Sequence, residues 1–217
     1  MARGTYFGGI HSSNDLQLIQ QKVEVQPAEP KLNLIDVPGA DGSKDLSEQP
    51  AGRIVYKNRE ITWTFALYPG ADWAAKHSEV SNAINGLLCR ITLDTDPGYY
   101  YLGRVSVSKH KVDGLLRQIE VKASCQPYKY KQQETIVTKA LATTYLEIPL
   151  PNSRKPVVPT ITVTAETTLQ WGANTYTVAA GAHKFLDIEL QEGNNVLQAK
   201  VASGTGEITV VYQEGAL

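Results

Sequence analysis

The amino-acid sequence predicts a mainly β chain of two domains, an α+β first domain carrying one helix followed by a β-sandwich. Three observations predict it. Apolar and polar residues alternate with period two through most of residues 5–130, the signature of half-buried strands. One stretch alone, from Gly70 to Leu88, switches to helical period. Beyond a proline cluster ending at Pro159 the composition shifts to Thr, Val, Ala and Gly, with short alternating runs at near-regular spacing.

Taken in order, TYFGGI (5–10) and LQLIQQKVEV (16–25) read as strands separated by the turn-forming HSSND, and KLNLIDV (31–37) as a third strand. The run PGADGSKDLSEQPAG (38–52) is long, polar and bounded by prolines, which keep it out of an interior strand and suggest a partner-contacting arm. RIVYKNREITWTFALYP (53–69) reads as a hairpin with Lys57 and Asn58 at its tip and Ile61, Trp63, Phe65 and Leu67 on one face. In the helix, Trp73, His77, Val80, Ile84 and Leu87 recur at steps of four and three, Asp72 stands at the N-cap, and Gly86 marks the exit into a buried strand. CRITLDT, then YYYLGRVSVSKHK after a DPG turn, then LLRQIEVKASCQPYKY complete the first domain, residues 1–131. The second, 132–217, opens on weak strands and continues with six runs: PTITVTA, TTLQWG, NTYTVA, KFLDIEL, NVLQAKV and GEITVVYQEG.

A net charge of -1 over 217 residues, with acids and bases interspersed, gives no basic stripe for nucleic acid or anionic membrane. No run is long and apolar enough to span a bilayer, and MARGTYFGG lacks the apolar segment of a secretory leader, so synthesis in a cytoplasm is expected. Cys89 and Cys125 read as reduced buried thiols. His11, His77, His110 and His183 lie in separate segments without ligand spacing, so neither a metal nor a cofactor is expected. Asp94 and Asp96 could serve a hydrolase as a carboxylate pair, but no partner is positioned for them, and a turn before Pro97 accounts for both. No catalytic residue is assigned. The consecutive Tyr99, Tyr100 and Tyr101 must present at least one ring away from their own sheet face, which suits an interface. Trp171 and His183 could form a sugar platform in the sandwich.

The segments FGGIHSS, IDVPGADGSKDL, REITWTFAL, CRITLDTDPGYYYLGRVSV and SCQPYKY, in this order, resemble the distal tail protein (Dit) family of long flexible-tailed phages, and GTGEITVVYQEGAL resembles the end of that family's galectin-like domain. The resemblance implies an N-terminal β-sandwich with one helix and a C-terminal galectin-like β-sandwich. It also implies a non-enzymatic structural role at the distal tail tip of the virion. A homohexameric ring would join the tail tube protein to the tail-associated tip protein. Candidate subunit-interface residues are Pro38, Gly39, Asp41, Gly42, Asp45 and Leu46 of the arm with Tyr99, Tyr101 and Arg104. The alternative is a carbohydrate-binding module contacting the host through Trp171 and His183.

Overall fold

The structure, a computed structural model, describes residues 3–113 and 116–217, with the side chains of 109–113 and 116 left outside the description. His110 therefore lies outside the described side chains. The chain divides into two compact units, Met1–Lys129 and Tyr130–Leu217.

The first unit contains β1 (Thr5–Phe7), β2 (Ile10–His11), β3 (Leu18–Val25), β4 (Leu34–Asp36), β5 (Ser43–Asp45), β6 (Arg59–Leu67), α1 (Trp73–Ile84), β7 (Leu88–Leu93), β8 (Tyr99–Asp113) and β9 (Leu116–Lys131). Its sheet runs in the order β2-β1-β7-β8-β9-β6-β3. Alternation sets the inner face. Phe7, Ile61, Trp63, Phe65, Ile91, Val105, Ile119 and Val121 are fully buried there, and α1 adds Val80 and Ile84. Strands β1 and β6 stand four places apart in the sheet, yet the Trp63 indole N–H donates to Thr5 Oγ1 at 3.0 Å. That hydroxyl in turn donates to Gln20 Oε1 on β3 at 2.7 Å. The sheet must curl for these groups to meet, so the relay joins its two halves across the core.

Local chemistry explains several departures from the sequence reading. The predicted strand 5–10 breaks at Gly8, whose φ of 65° turns the chain into the β1–β2 hairpin. Residues 53–58 form no hairpin with β6. Both edges of β6 are taken by β3 and β9, and Lys31 and Lys57 instead donate backbone N–H bonds to Val55 and Glu29. Helix α1 is capped by the Asp72 carboxylate, which accepts from Ala74 and Ala75 N–H, and it ends before Leu87. Only Val80 and Ile84 of the predicted stripe are buried. Trp73 and His77 are half-buried, with the Arg117 guanidinium 6.0 Å from the indole, while Leu87 is exposed. The helix exit is stitched to β8 by Gly86 N–H to Val105 O and by Val107 N–H to Asn85 Oδ1. Strand β7 is half-exposed rather than buried, because its even-numbered residues face away from the core.

The second unit contains β10 (Thr135–Leu141), β11 (Leu146–Asn152), β12 (Thr160–Val163), β13 (Thr167–Trp171), β14 (Asn174–Val178), β15 (Gly181–His183), β16 (Gly193–Val201) and β17 (Gly206–Tyr212). Two four-stranded sheets, β10-β17-β12-β15 and β11-β16-β13-β14, enclose a core of Ile148, Leu150, Ile161, Leu169, Leu197 and Val210. KFLDIEL is not a strand. Ile188 and Leu190 are nevertheless buried, because Leu190 bridges Val157 through paired backbone bonds and plugs the sandwich from a loop. The separator AAGAH supplies β15 instead. The base of the sandwich is tied by the buried Glu214, whose carboxylate accepts from Lys131 Nζ at 2.5 Å, Thr135 Oγ1 at 2.6 Å and Ser153 Oγ at 2.7 Å. Burial pushes this carboxyl up, and the three donors together outweigh it and hold the group below the ordinary range.

Two outcomes follow from these ties. Replacing Thr5 by Val leaves the Trp63 N–H and Gln20 amide oxygen without their shared partner, and is expected to cost about 1–3 kcal/mol in chemical denaturation. Because the folded-state pKa of Glu214 is depressed, its stabilisation is present above the unfolded value and is lost as pH falls through the folded value. Glu214→Gln is therefore expected to lower the melting temperature at pH 7 and to lose that deficit progressively below about pH 4.5.

Candidate interaction surface

The arm is where the structure departs furthest from a closed globule. KLNLIDV does not join the main sheet: β4 pairs only with β5, as a two-stranded ribbon. Every residue from 31 to 45 is exposed. Gly39 (φ 83°) and Gly42 (φ 72°) supply the left-handed positions of its turn. The base is firm. Asn33 N–H donates to Ser47 Oγ at 2.8 Å, Leu46 N–H to Asn33 O, and Ser47 N–H to Asp45 Oδ1; the Ser47 side chain first and this N–H second hold the Asp45 carboxyl low. Leu32, Leu34, Ile35 and Val37 are between 44 % and 60 % exposed. An isolated two-stranded ribbon is at best marginally stable in water, and four aliphatic side chains on one such ribbon mark a contact surface.

Of the residues singled out in the sequence, Pro38, Gly39, Asp41, Gly42 and Asp45 are exposed on this ribbon and Leu46 is half-buried at its base. Arg104 is exposed, with one guanidinium nitrogen donating to Gly86 O at 2.7 Å. Tyr99 is half-buried, its ring 4.4 Å from Lys129 Nζ. Tyr101 offers no contact surface: at 6 % exposure its ring belongs to the core, under the Arg59 guanidinium. The aliphatic residues before Pro38, which read as a separate strand, belong to the arm; Pro30 and Pro38 flanking a run interrupted by Asn33 and Asp36 are the signal for a segment outside the sheet.

The other sequence candidates are dispersed or structurally engaged. Asp94 accepts from Gly4 N–H at 2.8 Å and from His11 Nε2 at 3.2 Å, while His11 Nδ1 accepts the Asn14 N–H, which fixes the tautomer. Asp96 accepts from Lys129 Nζ at 2.7 Å and raises the lysine's pKa. The two carboxylates thus face different partners. Trp171 lies on β13 and packs against the core, whereas His183 lies on β15 of the opposite sheet and holds Ala179 O at 2.8 Å, so they build no common platform. A cavity of about 320 Å³ opens instead on the outer face of the β11-β16-β13-β14 sheet, lined by Glu147, Gln170, Gly172, Val196 and Gln198. Cys125 is fully buried, and burial pushes its thiol up to about 12, while Cys89 is half-buried. A side chain at Gly103 would meet Cys125 Sγ and the Ser124 carbonyl, so the glycine makes room for the thiol. Among the described residues no three potential ligands cluster for a metal, and no helix is long and apolar enough to cross a membrane.

No protein-family model matches the sequence, and no curated protein matches it either. Solved structures do. The crystal structure of SPP1 Dit (gp 19.1), a paradigm of the hub adsorption apparatus in phages infecting Gram-positive bacteria, matches over 100 % of both chains with a TM-score of 0.72 at 17 % identity. The chain has the Dit fold. In this Dit fold the mainly β architecture with a single helix and a terminal sandwich is the one expected from the sequence.

Ser47→Ala removes the acceptor that holds Asn33 N–H at the ribbon base. It is expected to speed amide hydrogen exchange at Asn33 and across β4 at least tenfold, while exchange in β6 stays unchanged.

Proposed function

We propose that this chain is a non-enzymatic structural protein of a phage tail. Six copies close head to tail into a ring at the distal end of the tail, between the tail tube protein and the tail-associated tip protein. Residues 1–131 form the ring and residues 132–217 the galectin-like sandwich; the protein is made in the host cytoplasm and carried in the virion. The observation that carries this reading is the β4–β5 ribbon, a firmly rooted, wholly exposed arm whose aliphatic side chains find no cover on their own chain. The fold shared with a hub protein supports the same reading. So does the engagement of Asp94, Asp96 and His11 in structural bonds rather than in a shared acid–base pair. Pro38, Gly39, Asp41, Gly42, Asp45 and Leu46 belong to the contact on the arm, with Tyr99 and Arg104 on the body.

Carbohydrate contact through the second unit is the other reading, favoured by the polar cavity where Gln198 Nε2 donates to Glu147 Oε1 at 3.2 Å beside Gln170. Titration with wall polysaccharide, followed by Gln198→Ala, separates the two.

The test of the ring is light scattering on a sizing column across a dilution series, with negative-stain images of the largest peak. Particles of six times the 23.7 kDa chain mass with a central hole are expected. A chain that stays monomeric at tens of micromolar, alone and with purified tail tubes, would overturn the reading.

A further inference from the structure

The outer face of the first unit's sheet is divided. Toward β6 and β9 it is a solvated surface of Glu60, Thr62, Lys122 and Ser124, with Lys122 Nζ and Glu60 paired at 3.0 Å. Toward β1, β7 and β8 it changes character. Outward residues alternate with the buried Phe7, Ile91, Tyr101 and Val105, which places Tyr6, Leu88, Arg90, Leu102 and Arg104 on one surface. The antiparallel register sets Leu88 beside Arg104 and Arg90 beside Leu102, so that leucines and arginines form a checkerboard. Leu88 is 57 % exposed, Leu87 is exposed beside it in the chain, and Tyr6 is exposed farther along the same face, opposite Thr92. The Arg90 guanidinium sits over the Tyr100 ring, 4.5 Å from its centre, and Arg104 donates to the Gly86 carbonyl, so both guanidinium groups are held at the surface. No outward position of β7 or of β8 between Tyr100 and Ser108 is a carboxylate.

From this pattern we infer that the Leu88/Arg90/Leu102/Arg104 face is the acceptor for the β4–β5 arm of a second copy. The inference rests on the ring reading and gives it a specific contact. The two surfaces are complementary in both respects that matter. The arm brings Leu32, Leu34, Ile35 and Val37, and residues 31–52 carry four carboxylates against two lysines. The face brings the exposed Leu88 and the half-buried Leu102, interleaved with two exposed arginines. Burying the aliphatic side chains drives the contact, and the charges fix orientation and reject like pairs. Arm and face lie on different parts of one chain, so the contact is heterologous and each copy can give one and receive one.

Complementation between two broken chains tests this directly. One variant, Leu34→Ser with Ile35→Ser, loses the arm and keeps the face. The other, Leu88→Ser with Arg90→Glu, loses the face and keeps the arm. All four positions are exposed, and matching thermal melts verify the fold; if the face variant melts early, Arg104→Glu alone replaces it. Each variant alone is expected to sediment as a monomer at concentrations where the wild type assembles. An equimolar mixture is expected to give a species of twice the chain mass, joined by its one intact arm and one intact face. A face variant that assembles as the wild type does overturns the inference while leaving the ring intact. So does a mixture that remains monomeric although each variant is defective. A wild type that never assembles overturns the ring reading and this contact with it.

Discussion

The hydroxyl of Thr5 stands between Trp63 and Gln20, and the shape of the first unit depends on that arrangement. A buried indole N–H without an acceptor is costly, and here the acceptor sits on a strand four places away in the sheet. The sheet therefore curls rather than lying flat. The curl brings Phe7 within 5.1 Å of Trp63 and 6.4 Å of Phe65, edge-on in both cases, and α1 adds Val80 and Ile84 to the same core. With the inner face filled in this way, alternation dictates what the outer face of β7 and β8 presents, and the leucine and arginine checkerboard follows from it.

Much of this was legible in the residues. The alternation Ile61, Trp63, Phe65, Leu67 marks β6, and the period of four and three from Trp73 marks α1 with its Asp72 cap, because burial on one face writes a period into the chain. What sequence could not supply was partnership. RIVY and KLNLIDV carry strand composition, yet one only brackets the base of an arm and the other forms a ribbon outside the sheet, since strand propensity does not name a neighbour. KFLDIEL failed for a related reason: Ile188 and Leu190 are apolar because they fill the sandwich core, which a loop does as well as a strand. Prolines and glycines mark the arm in the sequence, but its aliphatic half, KLNLIDV, reads there only as a third strand. Tyr101 lies in the core; three consecutive tyrosines cannot all face one way, and the sequence does not say which is inside.

The two units use polar groups in different ways. The first closes its core around a neutral relay of indole, hydroxyl and amide. The second fastens its base with a charged one, where Glu214 collects an ammonium and two hydroxyls. A charged node of this kind makes its own contribution to stability depend on pH, whereas the neutral relay's does not.

Cys125 has a consequence for how the molecule can be watched. Its sulfur lies over Gly103 in a fully buried site, and its thiol is held far from the reactive thiolate form. A thiol reagent reaches it only when the core of the first unit opens. The rate at which that sulfur becomes labelled is thus a clock for the opening of the first unit, read at a residue the chain already carries.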